Sequence, residues 1–565
     1  VGVSVGGTQR LTVGTSGVTV NGDLATTTSG TSNFVAGVNA GNSITSGGNY
    51  NVTVGDEAGT ALTVGGSNTA VGFDSLKADT KGSHSVAVGV GALYAQNFTS
   101  ATDAYNVAVG RSAGVAVTTG VRNTLIGGLS GAAMTTGDRN VAVGATSLDA
   151  CTTGQYNVAV GNDALTTLTS GARNTAVGLQ AGAAITTGSG NSFFGSDSGD
   201  ATTTGSNNTA VGYNALTANT TAGSNCALGA YALTANTTGT SNCAVGSSLV
   251  TNTTGTKNTS VGNNALYYNT TGYDNNAFGL STLQACTTGY NNSGFGGGGT
   301  LLAAALQSLT TGYRNCGFGN GAAGSTTTGA HNVAVGDAAL YTNSTGSDNV
   351  AVGQGSLLAN TTASLNVGVG YNAGIALTST SNNTFIGANA GNNIVTGSNN
   401  IMLGSGARGS ATNVSELVIG YDAVGKGNAT GLIYAPGGGA MYQATNASTW
   451  AQTSDVRLKK NIVNNDVGLA KINAIQVRNF DYKTAEEVES DGVLDSRQAI
   501  VKTGTQLGVI AQELELICPD CVTTESTGVK TVSVDNLHWH MLNAIKELSA
   551  TNDALAARLT ALEGA

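Results

Sequence analysis

The chain repeats itself every seventeen residues. Asn-Val-Ala-Val-Gly occurs at 106–110, 140–144, 157–161, 332–336 and 349–353, with looser copies such as Asn68 to Gly72 and Asn174 to Gly178. The closing Gly recurs 23 times between Gly37 and Gly420, and most steps are seventeen residues long. The consensus is N-x-A-V-G-x-x-A-L-x-x-x-T-T-G-x-x. A fixed internal period demands an array in which each unit buries a face against its neighbours. Seventeen residues are too few for a helical hairpin, and Val and Thr favour strands. The unit fits one coil of a parallel β-solenoid or β-roll, with two short strands and two turns. By the period-two rule, the second and fourth positions of N-x-A-V-G share one face. That face, mostly Val, Thr, Ile or Leu, reads as inward. The Ala between them then points outward, where a small side chain lets a neighbour approach. Thr-Thr-Gly reads as a turn whose Gly tolerates a left-handed backbone. The opening Asn, replaced at Ser85 and Glu416, is expected to bond from coil to coil along the axis.

Composition narrows the alternatives. The 565 residues include 84 Gly but only 2 Pro, which excludes collagen with its strict Gly period and abundant Pro. An apolar content of 40% argues against a disordered polymer. The longest apolar runs, such as Leu301 to Leu306, fall far short of a membrane span. Each coil offers only about four apolar side chains, mostly small, against a large ordering cost. A roll this thin is therefore expected to bury its Ala face against another chain. Coils stacked at ~4.8 Å would make a rod on the order of 105 Å long.

Charge divides the sequence. Residues 1–453 hold 11 Lys/Arg and 16 Asp/Glu, and residues 454–565 hold the same numbers in a quarter of the length. Pro436 and Gly437-Gly438-Gly439 precede the change, which reads as a domain boundary. The expected organisation is an N-terminal β segment at 1–32, a repeat shaft at 33–424, a linker at 425–453 and a distinct domain at 454–565. The sequence opens without Met, so a leading segment is expected to precede it. Each charge half nets −5, which gives no basic surface for nucleic acid. Cys518 and Cys521 form a Cys-x-x-Cys around Pro519-Asp520, but no second pair accompanies it, so no metal or cofactor is expected.

The repeats are similar to the β-roll heads of trimeric bacterial adhesins, with their Asn-Ser-x-Ala-Ile-Gly-like core, and to the repeat shafts of phage tail fibres. The C-terminal part carries four separated motifs. These are Thr453 to Ile462, Phe480-Asp481-Tyr482-Lys483, Leu507 to Leu514, and Val534-Asp535-Asn536-Leu537 with Leu542 to Leu548. In this order they resemble the self-cleaving intramolecular chaperone of endosialidases and other phage fibres and spikes. The resemblance implies a domain that trimerises, nucleates folding of the shaft and then cleaves itself off. It places the scissile bond at Thr453–Ser454, the nucleophile at Ser454 and the dyad base at Lys459.

The residues suit that chemistry. A Ser hydroxyl attacks only when a base removes its proton, and Lys serves only when neutral. A free Lys titrates near ~10.4, so burial or nearby cations such as Arg457 and Lys460 must lower it. Trimer closure is expected to create that dry setting, which would make cleavage a report of correct assembly. The plain reading of Ser454-Asp455 is a turn or helix cap. Met541, Leu548, Leu555 and Leu562 recur every seven residues, interleaved with Ile545, Asn552 and Leu559. They predict a coiled coil within 535–565, with Asn552 setting register. His538 and His540 read as packed or solvated, since i and i+2 do not share a helix face.

Two steps are longer than the rest. One spans Tyr94, Phe98 and Tyr105 between Gly89 and Gly110, and the other spans Leu301 to Leu309 between Gly296 and Gly319. Solenoid insertions protrude as loops; the apolar second one reads as buried at a contact between chains. Tyr273, Tyr290 and Tyr313 follow the turn Gly in three successive repeats and should stack in a row, either packing on each other or binding sugar. The expected fold is mainly β: a trimeric parallel β-roll or β-solenoid shaft, then a small α+β chaperone domain ending in a trimeric coiled coil. The expected role is a homotrimeric virion tail fibre, assembled in the host cytoplasm alongside other tail proteins. It would contact a host glycan or protein receptor through Tyr273, Tyr290, Tyr313, Tyr94 and Phe98, without membrane insertion. Its only expected chemistry is a single self-cleavage. The alternatives are a bacterial trimeric adhesin and a fibre that degrades polysaccharide, although no Asp/Glu pair recurs in the repeats.

Overall fold

A computed structural model describes residues 2–5, 8–14, 17–20, 28–299, 302–435, 439–443, 451–452, 456, 459–465, 468–491, 502–525 and 528–564. Two compact units divide at Thr453 and Ser454. The first begins with a three-stranded antiparallel meander, Gly2–Val5, Thr8–Gly14 and Gly17–Val20. A parallel β-solenoid follows. Its 23 three-residue strands run from Phe34–Ala36 to Leu417–Ile419, one per coil, each in register with the next. The remainder of each coil is turn rather than a second strand. Backbone bonds still join these turns from coil to coil, as in Leu148 N to Ala164 O at 3.1 Å and Thr152 N to Thr169 O at 2.9 Å.

The faces are the reverse of those expected. From the second strand onward the central residue, usually Ala, is fully buried, whereas its two neighbours are half-buried or exposed. Width decides this. A seventeen-residue coil already points the Leu of its A-L pair inward, leaving space opposite for little more than a methyl group. In three coils where Leu or Phe occupies the strand centre, the Leu slot is Gly. Leu125 faces Gly131, Phe193 faces Gly199 and Phe385 faces Gly391. A Cβ at Gly199 would sit 2.5 Å from Phe193 Cζ, and one at Gly391 would sit 2.3 Å from Phe385 Cδ1. The shaft core is therefore complete within one chain, with no Ala face left for a partner to cover.

The expected Asn ladder is present. Asn140 N donates to Asn123 Oδ1 at 3.0 Å, and its Nδ2 donates to Gly154 O at 2.9 Å. The same pattern recurs at Asn157, Asn174 and Asn191. At the two departures other groups fill in: Gln96 Nε2 donates to Ser85 Oγ at 3.0 Å, and Glu416 accepts from Gly427 N at 2.9 Å.

The two repeated glycines have different causes. The strand-closing Gly adopts positive φ, such as +134° at Gly144, and a Cβ there would lie 2.4 Å from Gly161 O. The Thr-Thr-Gly glycine does not adopt positive φ, contrary to expectation. It is Gly because the next coil passes too close: a Cβ at Gly188 would lie 2.3 Å from Gly205 O. Left-handed backbone falls instead on the Leu of A-L, as at Leu165 (φ 52°), and on the residue before Asn, as at Arg173 (φ 58°).

The second unit contains helices α1 (Leu469–Ala474), α2 (Ala485–Asp491), α3 (Ala511–Ile517) and α4 (Val534–Glu563). Two strand pairs accompany them, Arg478–Phe480 with Gln506–Gly508 and Val522–Thr524 with Lys530–Val532, both antiparallel. α1 packs on α4 so closely that a Cβ at Gly468 would meet Ala544 N at 2.2 Å. Glu547 caps α1, accepting from Gly468 N at 2.6 Å and Leu469 N at 3.1 Å. A small core gathers Leu514, Cys518 and Cys521, with Ile475, Val509 and Leu537 packed against it. No described helix is long and apolar enough to cross a membrane.

Candidate functional site

Three regions carry chemistry or recognition. The first is the start of the second unit. Thr453 and Ser454 lie outside the described residues, so the geometry of the expected dyad is not described. Lys459 is exposed, and its backbone N donates to Val456 O at 3.1 Å.

The second region is α4. Ser533 caps it, accepting from Asn536 N, and the helix then runs unbroken for 30 residues. Its inner side holds His540 and Ala544, both buried. The heptad residues face away: Met541, Ile545, Leu548, Leu555, Leu559 and Leu562 are all exposed, Leu562 to 75%. Six apolar side chains at a/d spacing on one surface form a seam that suits other helices of the same kind.

The third region lies on the shaft. Tyr273, Tyr290 and Tyr313 stack face to face, with ring centres 4.9 Å apart and planes within 7°. His331 closes the row edge-on to Tyr313 at 5.2 Å. The rings occupy one another's faces, leaving edges and hydroxyls for a ligand. A second row went unread in the sequence. Phe278, Phe295 and Phe318 stack at 4.7 Å and 4.4 Å on the same three coils. Its signal was present, since Phe replaces Val before Gly279, Gly296 and Gly319. The two rows make these coils the most aromatic part of the shaft.

The insertions behave differently from expectation. Tyr94 is 40% exposed, with Lys77 Nζ 5.8 Å from its ring centre. Phe98, grouped with it as a contact residue, is buried: a Cβ on Gly82 would meet its ring at 2.8 Å. The first insertion is pinned by a parallel pair, Gly82–Ser83 with Thr102–Asp103. Asp79 sits beneath it, accepting from Gly82 N at 2.9 Å and from Gln96 Nε2 at 2.6 Å. Burial raises the Asp79 pKa despite these bonds. In the second insertion, Ala304, Ala305, Leu306 and Leu309 are buried in the core of their own coil rather than at a contact between chains. Ala305-Leu306 is the A-L pair of that coil, so the apolar run belongs largely to the repeat.

The Cys-x-x-Cys also differs from its sequence reading. Cys518 ends α3 and Cys521 ends the short 3-10 turn Pro519–Cys521. They are joined as a disulfide, with Cα atoms 5.3 Å apart. His540 of α4 reaches this turn, its Nε2 2.8 Å from Asp520 Oδ2. That hydrogen bond, aided by Lys471, holds the Asp520 carboxyl below the usual Asp range.

Residues 454–523 match the family described as chaperone of endosialidase. The match begins at the first residue of the second compact unit. Comparison with curated proteins and with solved structures finds no match to the chain.

Proposed function

We propose that this chain is one subunit of a homotrimeric virion tail fibre, whose solenoid shaft is assembled by its C-terminal chaperone. The coincidence of the family match with the Ser454 unit carries the reading, because it puts a chaperone-type domain directly behind a repetitive β shaft. The exposed heptad seam of α4 supports a trimer, since six large apolar side chains in water are costly without partners. Trimerisation at α4 would hold three chains in register before their coils begin to stack. Parallel stacking of non-local coils is slow to nucleate, so this order of events is physically favourable.

Self-release at Thr453–Ser454 completes the proposal. Ser454 Oγ attacks the Thr453 carbonyl carbon, Lys459 takes the hydroxyl proton, and water then hydrolyses the resulting ester. Thr453 is left with a carboxylate and Ser454 with a free amine. Lys459 is exposed in the single chain, so activation would await burial by the trimer. Host contact is assigned to the paired aromatic rows at 273–318, with Tyr94 as a further contact. A glycan or protein surface would meet the Tyr edges and hydroxyls.

The test is the mass of the native particle together with the masses of its chains. Three shafts per particle are expected, each ending at Thr453, with Ser454→Ala giving full-length chains. A monomeric native particle would sink the trimer, and a cut that persists in Ser454→Ala would sink the dyad.

A further inference from the structure

We propose that the turn at 518–521 and helix α4 together form a zinc site in the reduced protein, with Cys518, Cys521, His540 and Asp520 as ligands. One donor atom from each of the four residues lies within 4.8 Å of every other. Cys518 and Cys521 are fully buried and His540 is 3% exposed, so three of the four donors are screened from water. Two thiolates, an imidazole and a carboxylate match the ligand types and the number that Zn²⁺ takes in closed tetrahedral sites. The Cys-x-x-Cys spacing lets both sulfurs reach one ion. His540 Nε2 and Asp520 Oδ2 now share a proton across 2.8 Å, and the ion takes the place of that proton.

Charge supports the assignment. Two thiolates and a carboxylate against Zn²⁺ leave the site one negative charge. Lys471 Nζ stands 3.4 Å from Asp520 Oδ1 and 3.4 Å from His540 Nε2, where its ammonium offsets that charge. Packing supports it as well. The described core of this unit gathers around Leu514, Cys518 and Cys521. A unit with so little apolar interior gains from a metal clip. This clip would tie α3 and its turn to α4, the helix proposed to carry the trimer seam.

The disulfide and the zinc site are two redox states of the same pair. Opening the disulfide takes two electrons and two protons, supplied by a small thiol reductant that becomes oxidised to its own disulfide. Zn²⁺ then displaces the two thiol protons as it binds.

The experiment uses the full chain as expressed, keeping any released C-terminal piece in the sample. The protein is reduced with dithiothreitol, desalted without oxygen and titrated with Co²⁺. Thiolate-to-cobalt absorption and tetrahedral d–d bands should saturate at one equivalent per chain and vanish when Zn²⁺ is added. Cys518→Ser should remove the thiolate band, and His540→Gln should weaken binding tenfold or more. The shaft cysteines Cys151, Cys226, Cys243, Cys286 and Cys316 make Cys518→Ser the deciding control. A band unchanged in Cys518→Ser, or no band at one equivalent, overturns the site. The oxidised wild-type chain offers a second measurement that does not depend on any variant folding. It should take up no Co²⁺ until dithiothreitol is added, and uptake in the oxidised state also overturns the site.

Discussion

The shaft and the C-terminal unit bury their side chains by different means. Each shaft coil finishes its own interior, with Ala on the strand, Leu on the turn and Asn bonding the two neighbouring coils. The C-terminal unit leaves its longest helix with a bare apolar seam. The shaft was expected to cover its Ala face with partner chains, yet that face is its own core. What it leaves partly exposed is the outer strand row of Ile126, Phe194, Leu228 and Ile386, while α4 exposes a whole heptad seam. The difference teaches that repetition can complete an interior without a partner chain, because every coil is its neighbour's partner. A helix with no neighbour along its outer face has no such recourse.

The largest effect should follow from damaging that seam. Leu548→Lys with Leu555→Lys places charges at two heptad positions and should convert the proposed trimer wholly to monomer by mass photometry. The same chain should then fail to complete its shaft when refolded from denaturant. If it refolds to the native β signal at the wild-type rate, the shaft needs no help from α4.

A smaller effect probes how self-sufficient a coil is. Phe193→Ala should cost about 3–5 kcal/mol, as for other buried aromatic truncations. Gly199→Leu alone should also destabilise, because the new side chain runs into Phe193. Together the two changes restore the consensus pair and should recover most of the loss. Backbone strain does not forbid this, since Gly199 and Leu216 share a φ of 58°. Chemical denaturation of the four chains gives the coupling energy. Additive losses would mean that the strand centre and the Leu slot do not share one space.

That pairing also marks how far the sequence could be read. The period, the strand position, the Asn ladder and the Tyr row were all legible, because each is a residue type recurring at one phase. Which strand face pointed inward was not, since alternation defines two faces and names neither. Apolarity pointed the wrong way, because Val and Thr outrank Ala as core residues in wide sheets but not in a narrow coil. The deciding signal was volume compensation, with Leu125, Phe193 and Phe385 each opposite a Gly in the Leu slot. The second glycine was misread for a related reason: sequence shows that a Cβ is excluded but not whether φ or a neighbour excludes it. The approach of His540 to Cys518 and Cys521 was illegible because it depends on how α4 packs against the remainder of its unit.

Removing one rung of the ladder should have a moderate effect. In Asn174→Ala, Asn191 N loses its acceptor and Gly188 O loses its donor, both in the buried interior. A loss of about 1–3 kcal/mol is expected, the cost of leaving buried groups unsatisfied. Hydrogen exchange should locate it at coils 157–208, because solenoid coupling is between nearest neighbours. Uniform deprotection of the whole shaft would mean that coils do not act as separate units.

The smallest expected effect concerns pH, where the two units should differ again. The shaft is sparsely charged, and Asp79 is a buried carboxyl within it, its pKa raised by burial against opposing bonds from Gln96 and Gly82. A folded pKa above the unfolded value of ~3.9 means that the fold favours the protonated form. That contribution is fully present below the unfolded pKa and is lost as pH rises through the folded one. Asp79→Asn removes the charge but keeps only one of the two acceptors that Gly82 N and Gln96 Nε2 use, so the expectation concerns pH dependence. Relative to wild type, the variant should gain stability as pH rises from about 4 to 7. That relative gain should vanish as pH falls below about 4. Thermal unfolding of both chains between pH 3.5 and 7 measures it. A difference between the two chains that stays constant across that range would show that the bonds from Gln96 and Gly82 compensate the charge.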